Sequence, residues 1–264
     1  MRTIKMVCGV LILLWFGISG ALAAPDDAAF DRLLVKYVQA SPDGVNRIDY
    51  AGWKANAADR AALSTYIKGI ESTKVSKLPR PAQFATWANL YNAVTLKVIL
   101  DNYPVASIRD IKSTFTLDPA ALGGGPWWSK LVTVEGKQLT LNTIEHEILR
   151  KQFRDPRVHY AVNCASFGCP NLQPQAWRAA TLEADLDRAA RAYVNHPRGA
   201  AVRNGELEVS SIYVWFKADF GNDDAGVIQH LKKYATPELA AKLATVSKIS
   251  SDGYSWVLNE TRSK

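Results

Sequence analysis

Between Pro81 and Leu100 the chain runs through a stretch that leaves almost no polar face. Phe84, Trp87, Ala88, Tyr91, Val94, Leu96, Val98 and Ile99 recur at helical spacing and cover most of the circumference. A helix of that kind has to be enclosed by other elements, so this segment predicts the centre of the fold. Pro81 suits a first turn and Asn102-Tyr103-Pro104 ends the run. Two asparagines, Asn89 and Asn92, interrupt the apolar surface. Asparagine competes with the helix backbone for hydrogen bonds, and a buried amide without partners costs about 1–3 kcal/mol. Each therefore predicts a specific partner.

The remaining elements are shorter. Helical spacing marks residues 26–40, 57–70, 141–152, 182–194, 227–234 and 237–243, with a short turn of helix over 108–112 capped by Ser107. Alternation predicts strands over 45–50, 131–134, 137–139, 158–162, 201–203 and 206–209. Glu135-Gly136 and Asn204-Gly205 read as hairpin turns. Ser210 and Ser211 suit the cap of a short aromatic segment, and Leu122 to Trp128 reads as a glycine-rich loop. No repeat or linker divides the chain. Residues 24–264 are therefore expected to form one α+β domain, a central buried helix packed on a small antiparallel sheet with surrounding helices.

The amino terminus carries a different signal. Arg2 and Lys5 precede an apolar run from Met6 to Ile18, followed by Ser19-Gly20-Ala21-Leu22-Ala23. A basic start, an apolar core and a small-x-small site make a secretory signal peptide, with cleavage expected after Ala23. The apolar run, about 13 residues, falls short of the roughly 20 that span a bilayer. The mature chain is expected to be periplasmic or secreted, without a transmembrane segment. Cleavage removes two cations and lowers the formal charge from +7 to about +5. Lys and Arg are scattered, so nucleic-acid binding is not expected. The partner is an unidentified substrate or a component of the cell envelope.

Rare residues point to the chemistry. Beyond the signal peptide the cysteines are Cys164 and Cys169, in Asn163-Cys-Ala-Ser-Phe-Gly-Cys-Pro170, and the histidines are His146, His159, His196 and His230. Two close cysteines in an oxidising compartment suggest a Cys164–Cys169 disulfide. A free Cys164 beside a histidine would instead be a nucleophile. On a 158–162 strand, His159 and Cys164 fall on opposite faces, about 16 Å apart. His146, on a separate helix, is the better expected general base. His159 and Glu145 are expected to orient or polarise it, and Asn89, Asn92 or Asn163 to donate to an oxyanion. Trp127 and Trp128 are candidates to line the cleft. Glu145-His-Glu-Ile-Leu149 lacks the second histidine of a zinc helix, and no phosphate loop, dinucleotide fingerprint or GxSxG elbow is present. Neither a cofactor nor a metal is implied.

Four segments together resemble the DUF547 family. They are Phe84-Ala-Thr-Trp-Ala-Asn-Leu-Tyr-Asn-Ala93, Leu139 to Arg150 with Ile144-Glu-His146, Asp155 to Pro170 with both cysteines, and Ser210-Ser-Ile-Tyr-Val-Trp-Phe-Lys-Ala-Asp-Phe220. The resemblance marks Asn89, Asn92, Glu145, His146, His159, Asn163, Cys164 and Cys169 as parts of a shared pattern. It supplies no reaction. A more distant similarity to papain-like and transglutaminase-like thiol enzymes implies a cysteine-dependent hydrolase or acyl transferase acting on a peptide or envelope amide. The competing expectation is a non-catalytic envelope domain whose cysteines only close a loop.

Overall fold

A computed structural model describes residues 25–112 and 125–261 of the chain. The apolar segment expected to be a signal peptide and the start of the glycine-rich loop lie outside the described residues.

The amino-terminal part is helical. Helix α1 (Asp27–Tyr37) is capped by Asp26, which accepts from Ala29 N. Its end leads into β1 (Val38–Gln39), which pairs antiparallel with β2 (Arg47–Ile48). Asp49 then caps α2 (Tyr50–Ala55), and Asn56 caps α3 (Ala57–Glu71). The strand expected over 45–50 is thus cut to two residues, because Asp49 starts a helix where alternation alone read on.

Helix α4 (Arg80–Asn102) is the central element. Every residue from Phe84 to Leu96 is buried. It packs chiefly on α2, α3 and a helix that follows later in the chain. Each large apolar side chain enclosed in this way contributes about 1.5–3 kcal/mol, so the all-round apolar pattern is what places α4 at the centre.

Strands β3 (Val132–Val134) and β4 (Lys137–Leu139) form the expected hairpin, with Glu135 and Gly136 at φ 49° and 76°. Both turn residues lie in the left-handed region that a two-residue hairpin demands. The next helix, Thr143–Phe153, is bonded i→i+5 throughout, so it is a π-helix. Thr140 Oγ1 accepts from Thr143 N at its start, and Arg154 in the left-handed conformation ends it.

Residues 158–162 are not a strand. Val158–Ala161 is a single helical turn, α5, started by Asp155-Pro156: Asp155 O accepts from Val158 N and its carboxylate from Arg157 N. A four-residue turn buried on every side carries no periodicity to distinguish it from a buried strand. Helix α6 (Leu182–Val194) packs against it.

The last sheet is built from β5 (Ala200–Arg203), β6 (Glu206–Ser210) and β7 (Ser251–Gly253). β5 and β6 form the Asn204-Gly205 hairpin, and β7 adds parallel to β6. Ser210 caps α7 (Ser211–Trp215), accepting from Ile212 N. A 3-10 turn (Lys217–Phe220), α8 (Asp224–Tyr234) and α9 (Pro237–Leu243) follow. The described chain is α+β, with its strands shared among three small sheets. None of its helices is long and apolar enough to cross a membrane.

Candidate functional site

The loop after α5 is set by asparagine. Asn163 Oδ1 accepts from Ala165 N (2.9 Å), and Nδ2 donates to Pro170 O (2.7 Å), which closes the loop across its mouth. Asn92, on α4, holds the same segment: its Nδ2 donates to Ala161 O and its Oδ1 accepts from Asn163 N. Asn89, one turn earlier, clasps both backbone groups of Trp177. All three amides are buried and committed to backbone, so none is aimed into a cleft as an oxyanion donor. Their local signal was sound, since each buried amide has its partners. Those partners are main chain, joined at Asn163 Oδ1 by the Asn259 amide at 3.3 Å, and sequence could not name them.

Because Asn163 closes the loop, no covalent bond is needed there. Cys164 and Cys169 are free thiols, their sulfurs joined by a 3.1 Å hydrogen bond, where a disulfide would hold them at about 2.05 Å. Ala165, between them, sits at φ 58°, an uncommon conformation for a side chain with a Cβ. Cys164 is half-buried and Cys169 buried. Cys164 Sγ also meets Ser166 Oγ (3.2 Å) and Tyr254 OH (3.0 Å), which bond to each other at 2.7 Å. The hydrogen bond between the two sulfurs leads in lowering the Cys164 pKa, with Ser166 and Tyr254 adding to it against the effect of burial. Burial, followed by that same sulfur–sulfur bond, drives the Cys169 thiol the other way. The pair therefore favours a thiolate on Cys164 and a thiol on Cys169.

Tyr254 arrives from far along the chain. Residues after β7 cross the cysteine loop, with Phe167 N bonded to Val257 O, Gly168 N to Ser255 O and Asn259 N to Ala165 O. Gly168 leaves room for this crossing: a Cβ there would stand 2.8 Å from Ser255 N. The same crossing brings Trp256 beside Trp127 and Trp215.

These elements enclose a cleft of about 280 Å³. Its lining includes Glu145, His146, His159, Cys164, Cys169 and Trp128 together with Tyr91, Asn142 and the rings just described. The π-helix places Glu145 and His146 on the same cleft. Its wider turn reduces the angle between successive side chains below the 100° of an α-helix.

The histidines do not pair with Cys164. His146 Nδ1 faces Arg150 Nη1 at 3.0 Å. A guanidinium only donates, so Nδ1 accepts and the neutral ring carries its proton on Nε2. Burial leads in lowering the His146 pKa, and Arg150 and His159 lower it further against the pull of Glu145. A neutral histidine whose Nδ1 is occupied in this way presents a hydrogen-bond donor at Nε2. His159 Nε2 bonds to Asp219 Oδ2 at 2.7 Å, and Arg150 Nε reaches the same oxygen at 2.6 Å. Burial works against the Asp219 carboxylate, but His159 and then Arg150 outweigh it and hold its pKa well below the usual range. Asp219 therefore receives the Nε2–H of His159. His159 also stacks on Phe216, with centroids 4.5 Å apart. Glu145 makes no hydrogen bond to either ring.

Arg150, Asp219, Tyr254 and Trp256 were not among the expected site residues. Arg150 and Asp219 fall within the segments that carried the family resemblance, so a signal for them existed. Tyr254 and Trp256 had none beyond being aromatic in a polar tail. Among the described residues no group of three or more His, Cys, Asp or Glu could hold a metal ion.

Residues 75–194 match the family described as "Protein of unknown function, DUF547". Over those residues the chain is similar to the DUF547 family. The matched span runs from the turn before α4 to the end of α6 and contains Asn89, Asn92, Glu145, His146, His159 and both cysteines. Asp219, which bonds to His159, and Tyr254 and Trp256, which line the cleft, lie beyond the DUF547 match. No curated protein and no solved structure matches the chain. The likeness to papain-like and transglutaminase-like enzymes thus has no support from these comparisons.

Proposed function

We propose that this protein is an exported thiol-dependent acyl-transfer enzyme, a hydrolase or acyltransferase of peptide or envelope amides, with Cys164 as its nucleophile. One observation carries the reading: the half-buried Cys164 sulfur is held by Cys169, Ser166 and Tyr254 on the wall of a cleft that also presents two histidines of opposite hydrogen-bonding character. The leader-like segment up to Ala23 supports export, which is tested by whether periplasm-derived protein begins at Ala24.

The Cys164 thiolate attacks the substrate carbonyl, the carbon–sulfur bond forms, and the carbonyl oxygen takes the negative charge. The Nε2–H of His146 is the donor suited to that oxygen. His159 Nδ1, which takes up the Cys164 proton as the thiolate forms, hands it to the leaving nitrogen as the carbon–nitrogen bond breaks. Water or an acceptor then attacks the thioester, gives its proton to His159, and the sulfur is released. Asp219 keeps His159 in the tautomer this requires, as the carboxylate of a triad does.

The test is alkylation rate against pH, with intact-mass trapping of an acyl adduct from an activated ester. Cys164 is expected to titrate below the value of an ordinary thiol, which is about 8.5, and Tyr254→Phe to raise the midpoint. Asp219→Asn is expected to slow acylation by about 10²-fold or more. The reading fails if no adduct forms, or if an adduct survives Cys164→Ser. A non-catalytic binding domain is the second reading, favoured by the lack of any hydrogen bond between Cys164 and a histidine.

A further inference from the structure

Glu145 is the charge in the cleft that the chemistry above leaves unused. It is 8% exposed, lies on the π-helix and lines the cavity. No described residue donates a hydrogen bond to it or forms an ion pair with it. The neighbouring cation is committed elsewhere, since Arg150 donates to Asp219 and faces His146 Nδ1. His146 itself is neutral. A buried carboxylate without a counter-charge is unfavourable by itself and favourable beside a cation. The Cys164 sulfur adds a second centre of negative charge to the same wall.

The other walls suit the same ligand. Trp127, Trp215, Tyr254 and Trp256 form a continuous aromatic surface, with Trp215 against both Tyr254 and Trp256. Trp215 is 49% exposed, so part of its ring is open to a visitor. Aromatic faces attract cations and also pack well on methylene chains. An anionic substrate would meet Glu145 and the thiolate. A neutral one would leave the Glu145 oxygens without donors.

We infer that the cleft recognises a substrate bearing a primary ammonium group on an apolar chain, the ammonium donating to Glu145 and the chain lying along Trp215 and Trp256. A primary ammonium fits better than a quaternary one because the carboxylate lacks N–H donors as well as charge. The inference names the substrate class of the site read above as an acyl-transfer centre and rests on that reading. Glu145 acts in it as a specificity residue, with no part in proton transfer.

Binding of n-hexylammonium and of its neutral counterpart 1-hexanol is measured by calorimetry on the wild type, Cys164→Ser and Glu145→Gln. The ammonium is expected to bind roughly tenfold tighter or more, from the charge and cation–π terms together. That preference is expected to persist in Cys164→Ser and to vanish in Glu145→Gln. Equal binding of the two probes by the wild type, or a preference that survives Glu145→Gln, overturns the inference. The wild-type comparison decides the matter even if Glu145→Gln does not fold. Because the readout is binding, it separates the two claims. An ammonium preference without an acyl adduct leaves cation recognition standing and removes the thiol chemistry. An adduct without the preference does the reverse.

Discussion

Asn92 shows how one side chain can be essential without touching substrate. Its amide satisfies Ala161 O and Asn163 N, two backbone groups on either side of the turn into the cysteine loop. Asn92→Ala strands both in a buried place. At about 1–3 kcal/mol for each unsatisfied group, the variant is expected to lose roughly 2–4 kcal/mol in urea unfolding and to loosen the loop that holds Cys164. An unchanged urea midpoint would show that the loop does not depend on this clasp. At the same scale Cys164 and Cys169 show why residue type alone leaves chemistry open. A pair five residues apart can bridge or share a proton, and here the choice goes to sharing because Asn163 already closes the loop.

Among the elements, the π-helix and the crossing tail do most to shape the site. Glu145 and His146 were legible as chemically capable residues on a helix. What periodicity could not show was the i→i+5 bonding that puts Glu145 and His146 on one cleft. The error over 158–162 has the same origin: a buried apolar stretch of a few residues has no polar face to report its period. The tail depends on Gly168, whose missing Cβ lets Ser255 approach. Gly168→Ala is expected to cost about 1–3 kcal/mol by overpacking and to draw Tyr254 away from Cys164. The Cys164 alkylation midpoint should then rise as it does in Tyr254→Phe. A destabilised Gly168→Ala protein with an unaltered midpoint would show that Tyr254 does not tune the thiol.

For the whole molecule, buried neutral histidines set a direction for pH dependence. Burial leads in depressing the His230 pKa from 6.5 to about 4, and His146 is lowered for the same reason. The folded state therefore holds fewer protons than the unfolded chain between those values, so stability rises with pH across that window and levels off above it. The melting temperature is expected to fall as pH drops from about 6.5 to about 4. The fall should be smaller in His230→Asn, which can still accept from the Tyr160 hydroxyl that bonds to His230 Nε2. A flat profile over that range would contradict the burial of neutral histidine.

The sequence by itself determined what local chemistry can determine. An all-round apolar helix had to be central, Glu135-Gly136 and Asn204-Gly205 had to turn, and the chemically capable residues from Glu145 to Cys169 stood out by type. The DUF547 pattern was visible in the same stretches. The tertiary structure alone decided the pairings. His159 meets Asp219 across 60 residues and Cys164 meets Tyr254 across 90. Such contacts are selected by how whole elements pack, and a side chain's hydrogen-bonding capacity names the kind of partner it needs but not where in the chain that partner lies.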